Sequence, residues 1–208
     1  MVIEKTDLTK THPAYYKAQR TPEIVDLEPY YYLSVSGQCA PEDRQFLDAI
    51  EMLYAVGYAI KFDYKAQDLD FVVPKMECFW WIEGGVESQE AFEQAPRESW
   101  CWKIVIRMPD FVEHLSYFRA IQAVKSKKPE MEEIEQVKYE LINEGMSAQV
   151  LHLGSYEAES PTISRLFQFI QGQGMKIGGY HHEIYLSDPR RTPVEKLKTI
   201  IRYAVTND

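Results

Sequence analysis

Two short segments concentrate the residue types that chemistry needs. Lys75-Met76-Glu77-Cys78-Phe79-Trp80-Trp81-Ile82 sets a carboxylate beside adjacent tryptophans, and Tyr180-His181-His182-Glu183-Ile184-Tyr185 sets one between a histidine and a tyrosine. Both read as β-strands, whose successive side chains point to opposite faces. Glu77, Phe79 and Trp81 then share one face of the first strand, with Met76, Cys78, Trp80 and Ile82 on the other. In the second, His181, Glu183 and Tyr185 oppose Tyr180, His182, Ile184 and Leu186. A carboxylate partly withdrawn from water binds its proton more tightly, which suits acid or base work near neutral pH. The same carboxylate among aromatic rings would also serve as counter-ion to a cationic ligand. The bland alternative is two core tryptophans with a solvated strand face. The expectation is one cavity lined by Trp81 and Tyr185, each on its own carboxylate's face.

Other chemistries find little support. His181 and His182 are adjacent in a strand and point apart, so they cannot grip one ion from the same segment; no metal site is expected. No glycine-rich phosphate loop occurs, and no serine sits in a nucleophile elbow. Cys39, Cys78 and Cys101 are odd in number, lack ligand spacing, and have no basic neighbour to activate them. A reducing compartment, the cytoplasm, is the expectation, since the first residues show no apolar leader. No run approaches the ~20 apolar residues of a membrane span.

The elements that must hold these residues follow from periodicity and breakers. Residues 1–26, with Pro13 and Pro22, read as an irregular arm. A strand at 30–37 ends at Gly37, and a helix begins with Pro41 in its first turn and runs to about Phe62 on apolar positions 46, 47, 50, 53 and 54. Strands follow at 75–82 and 99–107, separated by an acidic loop that Gly84 and Gly85 open. Segments 110–128 and 130–145 read as two helices, the second highly charged and stopped by Gly145. The first pattern then returns: a strand at 147–156, a helix at 160–174 with Ser160 as N-cap and Pro161 in the first turn, a strand at 180–187, a short helix at 192–200 capped by Thr192, and a strand at 202–205. Both halves read β-α-β-β. The expected single domain thus has a first half at about 27–107, a helical insertion at about 110–145, and a second half at about 147–205.

Composition narrows the partners. The net charge is −9, from 32 acidic against 23 basic residues; a nucleic-acid binder needs the opposite balance. Aromatic residues make up 13%, with 14 Tyr, an excess that suits a half-wet cavity or a sheet using tyrosine for its strand propensity.

The runs TPEIVDLEPYYYLSVSGQCAPED, FLDAIEMLYAVGYAIKFDYK, DFVVPKMECFWW and ESWCWKIVIRMPDFV, with the ending GGYHHEIYLSDPRRTPVEKLKTIIRYAV, resemble the GyrI-like family across nearly the whole chain, in its longer stand-alone branch. The resemblance implies an α+β fold of duplicated βαββ halves (SHS2-type), an antiparallel sheet with helices on one side, and a ligand cleft between the halves. Relatives include drug-sensing domains, gyrase-protecting proteins, and hydrolases of cyclopropane-bearing DNA alkylators; the last group is the most similar. By that likeness Glu183 is the catalytic carboxylate, Glu77, Trp81 and Tyr185 form the wall, and Phe79 and His181 lie nearby, with no cofactor required. Where the family commonly has Gly-Asp-Pro, this chain has Cys39-Ala40-Pro41; in its Pro-Leu-Glu-Gly-Leu-Trp-Trp stretch, Cys78 and Phe79 replace Gly-Leu. Three roles follow from the likeness: turnover of strained electrophiles, non-catalytic capture of aromatic drugs, and modulation of a protein partner such as gyrase. Oligomeric state is left open.

Overall fold

A computed structural model describes residues 5–207, apart from the side chains of Glu90 and Glu93. In chain order the elements are α1 (Leu8–Thr11), α2 (Pro13–Tyr16), β1 (Glu23–Leu27), β2 (Tyr30–Gln38), α3 (Arg44–Lys65), β3 (Glu77–Trp81), β4 (Cys101–Arg107), α4 (His114–Lys127), β5 (Lys138–Ile142), β6 (Gly145–Leu153), α5 (Ser160–Gly172), β7 (Met175–Ile177), β8 (His181–Tyr185) and β9 (Lys198–Asn207). The strands form one sheet in the order β1-β6-β9-β8-β3-β4-β2-β5, with β7 added to β9, and every pairing is antiparallel. Exchanging β1 with β5, β2 with β6, β3 with β8 and β4 with β9 reproduces this order read backwards. The two β-α-β-β runs meet at the central β3–β8 pair, and each is edged by the strand that precedes the other.

The α+β architecture has its long helices on one side of the sheet. α3 buries Phe46, Ala49, Leu53, Val56 and Ile60 against Leu33, Val35, Cys78 and Ile104, and α5 buries Ile163, Leu166 and Ile170 against Ala148, Val150, Ile201 and Tyr203. The helix-side core presses close on β2: a Cβ on Gly37 would stand 2.3 Å from the Trp102 ring, so only glycine fits there. The opposite face is covered by the N-terminal arm, which seats Leu8, Tyr15 and Tyr16 against Tyr32, Phe79, Val105, Ile184 and Ile200. No helix among the described residues is long and apolar enough to cross a membrane.

Several local expectations are corrected. The charged run 130–145 is not a helix: after a 3-10 turn at Ile134–Gln136 it becomes β5, which pairs with the outer edge of β2 and buries Tyr139. Helix propensity yields to that pairing. Gly145 starts β6 with φ +57°, so it serves a strand-to-strand turn. The irregular arm holds α1, α2 and the strand β1, which pairs with β6. Pro41 lies in a turn ahead of α3, and Glu159, with Ser160 already helical, occupies the cap position of α5. Residues 192–200 form only a 3-10 turn at Val194–Lys196 before β9 begins at Lys198.

Candidate functional site

The β3–β8 register decides which side chains meet. Cys78 pairs with Glu183 and Trp80 with His181, while Glu77 pairs with Ile184 and Phe79 with His182. Residues directly opposite share a face. His181, Glu183 and Tyr185 therefore lie with Trp80 on the helix side, and Glu77, Phe79 and Trp81 lie with His182 on the arm side. The expected common wall of Trp81 and Tyr185 does not exist, because the sheet separates them. Trp80 is the tryptophan beside Glu183's tyrosine: its indole N–H points to the Tyr185 hydroxyl at 3.4 Å.

On the helix side, His181 Nε2 lies 2.9 Å from Glu183 Oε1 and its Nδ1 lies 2.7 Å from the Tyr203 hydroxyl. Tyr185 and Glu159 also hydrogen-bond Glu183. Burial works to raise the Glu183 pKa, but bonding and attraction to His181, with the bonds from Tyr185 and Glu159, outweigh it and hold the carboxyl below the ordinary range. Burial and the nearby Glu183 charge push Tyr185 well up and Tyr156 to about 12, so both phenols remain donors at neutral pH. Tyr156 meets Tyr185 edge-on at 5.6 Å and is 36% exposed, which puts it at the rim. Glu159, His181 and Glu183 each offer a ligand atom, all within 4.8 Å of one another. This is the one group among the described residues that could hold a cation, although bonds within the cluster already engage both His181 nitrogens.

A 3-10 segment, Gly85–Gln94, covers part of this cluster. Gly84 (φ +98°) and Gly85 (φ +65°) turn the chain into it. Gln89 Oε1 accepts the His181 backbone N–H at 2.7 Å, and Phe92 stacks on His181 and packs on Trp100 at 5.7 and 4.5 Å. Two surface cavities lie elsewhere. One of about 440 Å³ flanks α5 near Phe167 and Met175; one of about 400 Å³ runs between α3 and α4 along Tyr54, Tyr58 and Phe62.

The arm side carries a second, sealed network. His182 Nδ1 lies 2.9 Å from Glu144 Oε1 and its Nε2 3.1 Å from Glu77 Oε2. Arg202 reaches Glu144 at 3.3 Å, Gln149 at 2.9 Å and the Tyr15 carbonyl at 2.8 Å. Tyr15 also donates to Glu77. Burial disfavours the Glu144 charge, but His182 and Arg202 more than offset it and bring its pKa to about 2. Likewise burial lowers and the two carboxylates raise His182, with a net rise. Glu77 is thus neither solvated nor open to a ligand cleft; it is a fully buried member of this network. Trp81 is half-buried on the same side, stacked on Tyr180 at 4.6 Å.

Of the residues singled out from sequence, the structure brings together Glu183, His181 and Tyr185, and separates Glu77, Phe79 and Trp81 from them. It adds Glu159, Tyr156, Tyr203 and Trp80.

A central antiparallel pair carrying an ionised carboxylate among aromatic rings, flanked by helices on one side, defines a small-molecule-binding α+β domain. The chain belongs to the GyrI-like small molecule binding domain family, which matches residues 20–205. An uncharacterized conserved protein from Listeria innocua superposes with a TM-score of 0.89 at 34% identity, covering 97% of this chain and 100% of that one. A hydrolase from Listeria innocua does so at 0.84 and 32%, covering 97% and 100%. The C-terminal domain of EcmrR shares the fold alone, at 0.57 and 11%, covering 90% and 98%. No curated protein matches the chain.

Proposed function

We propose that this protein binds aromatic small molecules on the helix side of the β3–β8 pair and hydrolyses strained electrophiles such as cyclopropanoids, a detoxifying reaction with Glu183 as the base. The observation that carries this reading is the Glu183 carboxyl itself: held in its ionised form, bonded to His181 and Tyr185, and joined to a second carboxyl. A hydrogen bond between two carboxyls needs one proton for the pair.

The step balances without any other reactant. Glu183 takes a proton from water, the water oxygen bonds to a ring carbon, and the strained C–C bond breaks. Its electron pair moves to the conjugated carbonyl oxygen, which receives a hydrogen bond from Tyr156 and then the proton that Glu183 took from the water, so the base is regenerated. The similarity to a hydrolase from Listeria innocua over the full length of both chains supports the reading. Glu183→Gln keeps size and hydrogen bonding but cannot accept the proton. Mass spectrometry of a cyclopropanoid incubated with it should show ligand bound and turnover reduced roughly 10²–10⁴-fold; wild-type turnover in this variant would remove Glu183 from the mechanism.

A second reading has its own support. Paired carboxyls ringed by Trp80, Tyr156 and Tyr185 also suit a cationic aromatic drug that is held without turnover. In that case Glu183→Gln loses affinity for cations while neutral aromatics bind as before.

A further inference from the structure

The arm side of the sheet contains polar atoms that its own network leaves unused. Arg107 is fully buried on β4, and among the described residues its Nε, Nη1 and Nη2 complete no hydrogen bond. Its guanidinium lies 3.3 Å from the Tyr30 ring centroid and 4.9 Å from that of Tyr15, so its faces are packed while its edge is unserved. The Tyr16 hydroxyl lies beside it without completing a bond of sound distance and angle, and is itself buried and unpartnered. Glu77 Oε1 is the third such atom: its sister oxygen serves Tyr15 and His182, while Oε1 has no donor. The three are neighbours. Glu77 pairs with Val105, two residues from Arg107 on the same face of β4, and Tyr16 feels the charges of both. Unserved groups at this depth are costly, the guanidinium most of all.

The charges on this face point the same way. His182 offers both ring nitrogens to carboxylates, and two acceptors require two N–H groups, so the ring is a cation. His182, Arg202 and Arg107 then stand against Glu77 and Glu144, three buried positive groups to two negative. Of the three, Arg107 is the one with no carboxylate bonded to it among the described residues.

We infer that Arg107, Tyr16 and Glu77 form an internal site, covered by the N-terminal arm, for a small singly charged oxyanion that bears its own hydroxyl, of the bicarbonate or dihydrogen phosphate type. The requirement for a hydroxyl comes from Glu77 Oε1, which can only accept. An oxyanion such as sulfate would satisfy the guanidinium while turning a lone pair on the carboxylate; a protic one donates to Glu77, accepts from Arg107, and bonds Tyr16 in either sense. This site is on the opposite face of the sheet from Glu183 and is independent of the proposed reaction.

Thermal melts of the full chain at fixed ionic strength test it, with inorganic phosphate titrated near pH 6 and sulfate as the control for general salt stabilisation. Phosphate should raise the midpoint in proportion to the logarithm of its concentration once that exceeds Kd, by about 5–10 °C at a hundredfold excess, whereas sulfate should give only the shallow rise of a general salt effect. Arg107→Met should reduce the phosphate response to that of sulfate. Should that variant fail to fold, Tyr16→Phe removes one hydroxyl from the site and should raise the apparent Kd about tenfold. A phosphate response no different from that of sulfate, or one with unchanged apparent Kd in Tyr16→Phe, would overturn the assignment.

Discussion

His181 and His182 are neighbours in one strand, and each sits between two carboxyl groups, yet the two sites are built for different ends. His181 meets Glu183 and Glu159 under a covering segment, with Tyr185 and Tyr156 leading out to solvent. His182 meets Glu77 and Glu144 beneath an arm tied down at Tyr15, Lys17 and Gln19, whose backbone carbonyls accept from Arg202, Gln149 and the Leu151 N–H. The same residue types on two faces of one strand thus give a site with a rim and a site with a seal. What separates them is not composition but which segment lies above each: a 3-10 loop entered through two left-handed glycines, or an arm with a dense set of bonds. A carboxylate at a rim can exchange protons with a bound molecule; one under a seal contributes to stability.

The sharpest break between the faces should come from exchanging one carboxylate at a time. Glu183→Gln is expected to lose roughly 10²–10⁴-fold in turnover, while Glu77→Gln leaves turnover within a few-fold and lowers stability instead. Kinetics and urea melts on both variants decide it; equal losses of turnover would erase the distinction. Next in size is the stability of the sealed network. His182→Ala leaves Glu144 and Glu77 buried without their shared cation, and urea unfolding should register a loss of about 3–5 kcal/mol.

The pH dependence sharpens the same contrast. Glu144 is depressed to about 2, so its contribution is complete above the ordinary carboxylate value and is lost as pH falls toward about 2. His182 is raised above its usual 6.5, so its contribution is complete below 6.5 and fades as pH climbs through the raised value. Melting temperature against pH should decline on both limbs. Glu144→Gln should remove the acid limb due to this group and shrink the alkaline one, and an unchanged profile would show that the network does not couple to folding. The smallest effect is optical. An aromatic ligand on the helix side should quench Trp80, so Trp80→Phe should remove most of the binding signal and Trp81→Phe little; the reverse would place the ligand on the arm side.

Much of this was legible in the sequence. Alternation sorted Glu77, Phe79 and Trp81 from Cys78 and Trp80, and His181, Glu183 and Tyr185 from His182, and the structure keeps both groupings. It could not say how the two strands align. In the β3–β8 register an odd-numbered residue always faces an even-numbered one, so two groupings that look equivalent lie on opposite faces, and a shift of one position would reverse the answer. The charged stretch 130–145 misled for a related reason, since its helix propensity is local while the edge of β2 that claims Tyr139 lies a hundred residues earlier. Glu159 and Tyr203 reach His181 from separate elements, and no spacing rule within one segment announces such a meeting.

The palindromic strand order has a consequence for how the chain comes to be folded. Glu23 on β1 pairs with Gln149 on β6, 126 residues further along, and β5 returns to pair with β2. Each β-α-β-β run is edged by a strand from outside it, so the full sheet closes only through contacts of high sequence separation. Such topologies fold slowly, because the entropy of closing long loops comes before the contacts that compensate it. On the ribosome, the arm can find its partners at Asp70–Val72 early, but β1 must wait, unpaired, until about three-quarters of the chain has been made.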